Sequence, residues 1–135
     1  MILASIAECM TKDFAILKPD MPVAEASAIL IKKSLLGGPV LDSKGLLIGW
    51  ISDQECLHCT LQVVYHNTRV ATVADVMQTD VLTLSLNSEP LDVAQKMLAG
   101  GATTYPVVDG GNKVVGVLTR RDILKMLDKK LNEMA

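Results

Sequence analysis

At 135 residues, half of them hydrophobic and with a net charge of −2, the chain fits one compact domain or two very small ones sharing a core. The charge offers no basic stripe for nucleic acid, and four aromatics (Phe14, Trp50, Tyr65, Tyr105) make no stacking platform for single strands. No apolar run approaches the length that spans a bilayer, so neither nucleic acid nor a membrane is an expected partner.

The core must be built from Leu, Ile, Val, Met and Ala. A chain this small cannot bury all of that surface, and an exposed apolar patch used for self-association is the simplest remedy. The opening MILASIAECM lacks a basic leader and is interrupted by Glu8, which argues against a signal peptide. Three cysteines, an odd number, suggest a reducing cytoplasm.

In chain order, a short helix is expected over Ile2 to Met10, then a β-favouring stretch Phe14 to Leu17. Pro22 sits where a helix begins, and Val23, Ala26 and Leu30 give its i, i+3, i+7 apolar face. Gly37-Gly38 are read as its stop. The strand Pro39 to Leu41, a turn at Asp42-Ser-Lys-Gly and the strand Leu46 to Ile51 form a hairpin, and a helix starts at Ser52. Residues 63–71 read as a linker, followed by a short helix from Val73 to Met77.

The same order then recurs. Val81 to Leu84 is β-favouring, Pro90 opens a helix with Leu91, Ala94 and Leu98 on one face, and Gly100-Gly101 end it. Pro106 to Val108, the turn Asp109-Gly-Gly-Asn and Val114 to Leu118 make the second hairpin, with a helix from Thr119. Indeed PVLDSKGLLIGWISDQECL, from residue 39, returns 67 residues later as PVVDGGNKVVGVLTRRDIL. Pro39/Pro106, Val40/Val107, Asp42/Asp109, Gly49/Gly116 and Leu57/Leu124 are identical, and Met10 pairs with Met77. Each unit is β-α-β-β-α, too small to close a core alone. The expected fold is α+β, with two pseudo-symmetric repeats packed through their sheets. Residues 1–62 would form the first repeat with its N-terminal helix, and 72–135 the second.

These residues carry a family likeness. Val76-Met77, the Pro90 helix start, Tyr105-Pro106-Val107-Val108-Asp109 and Gly116-x-x-Thr119-x-x-Asp122, in that order and twice over, resemble a tandem cystathionine-β-synthase (CBS) domain pair, or Bateman module. The likeness covers about residues 5–130 and so implies a small stand-alone protein of bacterial type with no attached catalytic domain. It implies a regulatory fold that binds an adenosyl compound (AMP, ADP, ATP, S-adenosylmethionine or NAD(H)) in clefts between the repeats, in a homodimer.

On that likeness, Asp122 would accept from ribose hydroxyls, while Thr119 with Arg120 or Arg121 would meet phosphate. The chemistry is sound, since an ionised carboxylate is a pure acceptor and a helix N-terminus favours an anion. Thr103 and Thr104 correspond to family positions that reach phosphate, often through basic side chains absent here. The adenine would rest against Ile16, Met21, Ala26, Leu35 and Leu36. The equivalent cleft, headed by Ser52 and Glu55, has Asp53 and Gln54 in place of the arginines. Its carboxylates would repel a phosphate, so it is expected to be the weaker second site.

Simpler roles compete. T-x-x-D and S-x-x-E are also helix capping boxes, and Ser52–Glu55 fits that motif better because glutamate is the preferred partner. Cys56-Leu-His58-Cys59 supplies too few ligands for a structural zinc site and has the wrong order for haem attachment, so no metal is expected. Asp109-Gly-Gly-Asn lies in a hairpin turn, not before a helix, and is no phosphate cradle. Met97 and Met126 are read as core or dimer contacts, and Tyr105 as a shield at the core edge. The leading function is a cytoplasmic sensor that transmits ligand binding through dimer packing to an effector protein, with no obligatory cofactor. A ligand-free interaction dimer with vestigial clefts is the alternative, favoured by exposed apolar positions expected at Ile123, Leu124 and Leu127. No nucleophile–base pair stands out, so an enzyme is not expected.

Overall fold

The computed structural model describes residues 3–100 and 102–135. It is an α+β chain with two small sheets: β1–β2, and β3–β4–β5. The elements run α1 (Ile6–Cys9), α2 (Val23–Lys33), β1 (Gly37–Leu41), β2 (Leu47–Ser52), α3 (Asp53–His66), α4 (Val73–Val76), β3 (Leu84–Ser85), α5 (Pro90–Leu98), β4 (Thr104–Val108), β5 (Val114–Thr119) and α6 (Arg120–Met134). No helix among the described residues is long and apolar enough to cross a membrane.

The compact units are not the two contiguous repeats. One unit is Phe14–Val81; the other joins the segment ending at Asp13 to Leu82–Ala135. The expected division at residues 62 and 72 therefore differs from the folded one, and residues 63–66 belong to α3, not to a linker.

The reason lies in the hairpins. Pro39 pairs with Trp50 across β1–β2, and Trp50 turns its own hydrogen bonds outward to Gln78: its N–H donates to the Gln78 carbonyl (2.9 Å) and its carbonyl accepts the Gln78 N–H (2.8 Å). In the other unit Val117, opposite Pro106, exchanges the same two bonds with Thr11, at 2.9 and 2.8 Å. Each hairpin is thus edged by the strap that precedes the other repeat.

The repeated Gly–Met pairs explain why that seat is specific. A Cβ on Gly49 would lie 2.5 Å from Met77 Sδ and 2.9 Å from the Gln78 carbonyl oxygen. On Gly116 it would lie 2.7 Å from Met10 Sδ and 3.1 Å from the Thr11 carbonyl oxygen. Only glycine lets the strap approach so closely.

Within the first unit, Ala15, Leu17, Val23, Ala26, Leu30, Val40, Ile51, Cys56 and Val73 form the core. The expected strand at Phe14 to Leu17 is reduced to one parallel bridge, Leu17 to Val40. Pro19 follows two residues later and has no N–H to extend the pairing. Helix α2 starts after Pro22, but Gly37-Gly38 do not end it. Ser34 does, in the left-handed region at φ 55°, with Leu35 N–H closing back to the Leu30 carbonyl at 2.9 Å. Gly37 instead lies in β1, where a Cβ would meet Trp50 Nε1 at 2.8 Å.

In the second unit Ile6, Leu84, Val93, Met97, Tyr105, Val107, Leu118, Ile123 and Met126 make the core. Strand β3 is two residues long and parallel to β4. Pro90 occupies the first turn of α5, and Gly100 after its end has φ +94°. Gly101 and Ile2, read as part of a helix stop and of the first helix, lie outside the described residues. Both hairpin turns are tied by an aspartate. Asp42 Oδ1 accepts from the N–H of Lys44 and Leu46 (2.9 Å each), and Asp109 Oδ1 from those of Gly111 and Lys113 (2.9 and 3.0 Å). The Lys113 and Gly111 N–H groups hold the Asp109 carboxyl below its usual range.

Candidate ligand site

The β5–α6 junction carries the predicted acid. Thr119 is the N-cap of α6, and its hydroxyl accepts the Asp122 N–H at 3.0 Å. Asp122 Oδ2 accepts the Thr119 N–H in return at 2.9 Å, completing a capping box. The Arg120 N–H donates to the Thr103 carbonyl at 3.2 Å, and Thr104 is the register partner of Thr119. Thr103, Thr104, Thr119, Arg120 and Asp122 are therefore brought together by one hairpin and one helix start. The Arg120 and Arg121 side chains are exposed and make no ion pair among the described residues.

One member of the site was not foreseen. The Thr11 hydroxyl bridges both carboxylate oxygens of Asp122, at 3.0 Å to Oδ1 and 3.1 Å to Oδ2. The strap pairing with Val117 fixes Thr11 in that position. Asp122 also borders a groove of about 600 Å³ between α1 and α6, with Leu3, Cys9, Lys125 and Lys129. Burial first, and the Asp122 charge second, push the Cys9 thiol above its ordinary value.

The equivalent junction in the first unit is built on the same plan with different chemistry. Asp53 N–H donates to the Leu36 carbonyl at 2.8 Å, as Arg120 does to Thr103. Ser52 caps α3, accepting the Glu55 N–H at 3.4 Å. Glu55 does not return to the cap N–H: its Oε2 accepts a hydrogen bond from the Ser52 hydroxyl, and its Oε1 accepts from Gln78 Nε2 at 3.0 Å. The complete box thus belongs to Thr119–Asp122, the reverse of the expectation. The extra methylene of Glu55 carries its carboxylate past the cap to Gln78. Gln78 and Thr11 occupy equivalent places in the repeat, so the longer acid meets the longer donor and the shorter acid the shorter one.

The residues expected to face the adenine all belong to the first unit. Ile16 and Leu36 are exposed, Met21 and Leu35 half-buried. Ala26 departs from the expectation, because its methyl is fully buried in the core, where the i, i+3 face of α2 places it. On α6, Ile123 is buried and Leu127 packs against the core; of the three positions expected to be exposed, only Leu124 is. Cys56 is buried, Cys59 half-buried and His58 exposed, and all three cysteines are free thiols. No group of three His, Cys, Asp or Glu side chains able to hold a metal occurs among the described residues.

The model of the CBS domain matches residues 6–61 and again residues 73–129. The chain belongs to the CBS domain family. Inosine-5'-monophosphate dehydrogenase of Methanocaldococcus jannaschii is 32% identical over 118 residues, covering 87% of this chain but 22% of that protein. The chloroplastic CBS domain-containing protein CBSX1 of Arabidopsis thaliana is 26% identical over 148 residues, 90% of this chain and 63% of its own length. The chain thus spans less than two thirds of either relative. Among solved structures, CBSX2 in complex with AMP superposes with a TM-score of 0.82 at 27% identity, covering 93% of this chain and 97% of that one. The CBS domain pair of protein MJ0100, in complex with 5'-methylthioadenosine and S-adenosyl-L-methionine, gives 0.80 at 25% identity over 96% and 99%.

Proposed function

We propose that this CBS pair is a cytoplasmic regulatory module that binds an adenosyl compound and passes its occupancy, through the packing of a homodimer, to an effector protein. AMP, ADP, ATP, S-adenosylmethionine and NAD(H) are the candidate ligands. The observation that carries the reading is the gathering of Thr103, Thr104, Thr119 and Asp122 at the start of α6, beside two exposed arginines. In this role Asp122 accepts from the ribose hydroxyls, and the threonines and guanidiniums meet phosphate. The adenosyl ligands held by CBSX2 and by the MJ0100 pair support the ligand class. Ser52 and Glu55 form the weaker second site, with Asp53 beside them opposing phosphate. A switch further requires that the ligand favour one packing over another, because equal affinity shifts nothing.

One observation favours the ligand-free alternative. Asp122 is already met by Thr11 and Thr119, which suits a purely structural cap. A thermal-shift series with the five compounds separates the two readings. A ligand at about a hundred times its dissociation constant stabilises by about 2.7 kcal/mol, which raises the melting temperature by several degrees. No shift with any of them, and no heat of binding, would leave the interaction dimer standing.

A further inference from the structure

Two strap residues stand at equivalent places in the repeat, and each meets the acid of a helix start. Thr11 follows Met10 and bridges to Val117 in β5; Gln78 follows Met77 and bridges to Trp50 in β2. The methionine before each is seated against a glycine, Met10 at Gly116 and Met77 at Gly49. A side-chain seat and a backbone pair therefore hold each strap residue beside the helix that follows its strand. The side chain found there then decides what the acid can do.

Thr11 presents one hydroxyl, which reaches both oxygens of Asp122 at 3.0 and 3.1 Å in a part-buried contact. The Thr119 N–H also holds Oδ2, at 2.9 Å. An ionised carboxylate offers about four acceptor sites, so these two donors fix its orientation and leave about two sites open. A vicinal diol has two hydroxyls to fill them. Gln78 acts differently, because its longer amide draws Glu55 Oε1 at 3.0 Å in an exposed bond while the Ser52 hydroxyl meets Oε2. Both oxygens of Glu55 are thus engaged by side chains, and the carboxylate is held off the cap N–H.

We infer that Thr11 is a positioning residue for ligand binding, setting the Asp122 carboxylate to receive a vicinal diol, and that Gln78 withholds Glu55 from the same task. This rests on the reading that Asp122 accepts from ribose hydroxyls, and deepens it. Competence belongs to the pair of acid and strap residue, not to the acid alone. Glu55→Asp together with Gln78→Thr should therefore rebuild the Thr119–Asp122 arrangement at Ser52.

Amide hydrogen exchange without ligand reads the positioning itself, with circular dichroism to confirm the folds. Thr11→Val keeps the shape and removes the hydroxyl. The Thr119 amide, which donates to Asp122, should then exchange about tenfold faster than in wild type, and Thr11→Ser should restore most of its protection. In Glu55→Asp with Gln78→Thr the Ser52 amide should gain protection of about the same size, and in Glu55→Asp alone less. Titration calorimetry then compares AMP with 2′-deoxy-AMP, which lacks one ribose hydroxyl. Wild type should prefer AMP about tenfold or more, Thr11→Val should lose most of that preference, and Thr11→Ser should keep it. A merely structural loss would weaken both nucleotides alike. Unchanged exchange at Thr119 in Thr11→Val, no gain at Ser52 in the double variant, or a preference for AMP that survives Thr11→Val would each overturn the inference. Absence of AMP binding by wild type counts against the sensor reading and not against the positioning, which exchange at Thr119 and Ser52 decides.

Discussion

The two helix starts, Ser52–Glu55 and Thr119–Asp122, are copies of one motif that have come to do different things. At Thr119 the shorter acid stays on its own cap and is joined by the Thr11 hydroxyl. At Ser52 the longer acid leaves the cap for Gln78 and the Ser52 hydroxyl. One methylene decides whether the carboxylate remains over the helix N-terminus, with arginines beside it, or is spent on local contacts next to another acid. A site in such a fold is set by what surrounds the acid as well as by its presence.

The largest effects should come from the strap seats that bring Thr11 and Gln78 to those acids. Gly49→Ala and Gly116→Ala force a Cβ against a methionine sulfur and a backbone carbonyl, and overpacking of this kind costs about 1–3 kcal/mol. Gly49→Ala should cost more in urea denaturation, since the Gln78 carbonyl is closer than the Thr11 carbonyl. Equal or negligible losses would mean that the straps are not seated as described.

Removal of the acids comes next. Asp122→Ala deletes the acceptor for Thr119 N–H and Thr11 and should cost about 1–2 kcal/mol, whereas Glu55→Ala should cost about 0.5 kcal/mol. Thr11→Val, which removes one donor and keeps the shape, should fall between them. The opposite ranking would erase the distinction between the junctions.

The smallest effect lies in the thiols. Burial first, then the Asp122 charge for Cys9 and the Glu55 charge for Cys56, raise both above their ordinary values. The folded state then holds these protons more tightly than the unfolded chain does. Their contribution to stability is full below the unfolded thiol value, about 8.5, and is lost as pH rises toward the folded values. Iodoacetamide should accordingly label Cys9 and Cys56 more slowly in the folded protein than in urea. Asp122→Asn should speed Cys9 alone; acceleration at Cys56 as well would break the link between each thiol and its own acid.

Much of this was legible in the residues themselves. The 67-residue repeat, the aspartate turns, the proline helix starts and both N-caps follow from local chemistry and stand where expected. The exchange of straps was not legible, because Met10/Met77 and Gly49/Gly116 announce a contact without saying which copy meets which. Thr11 carries no local signal for the same reason, its partner lying 111 residues away. Ser34 gives no cap signal of its own while Gly37-Gly38 stand three residues on, and the use of those glycines in β1 beside Trp50 is a tertiary matter. The reversal of the capping boxes followed a general preference for glutamate that the reach to Gln78 overrode.

Which acid a ligand uses decides the functional difference between the two junctions. Titration calorimetry of whichever adenosyl compound shifts the melting temperature, into wild type, Asp122→Asn and Glu55→Gln, addresses that directly. The amide variants keep shape and remove charge, so the folds should survive. Asp122→Asn should weaken binding about tenfold or more, the scale of a lost hydrogen bond to a charged group, and Glu55→Gln should leave it nearly unchanged. Loss of binding in Glu55→Gln with retention in Asp122→Asn would contradict the account.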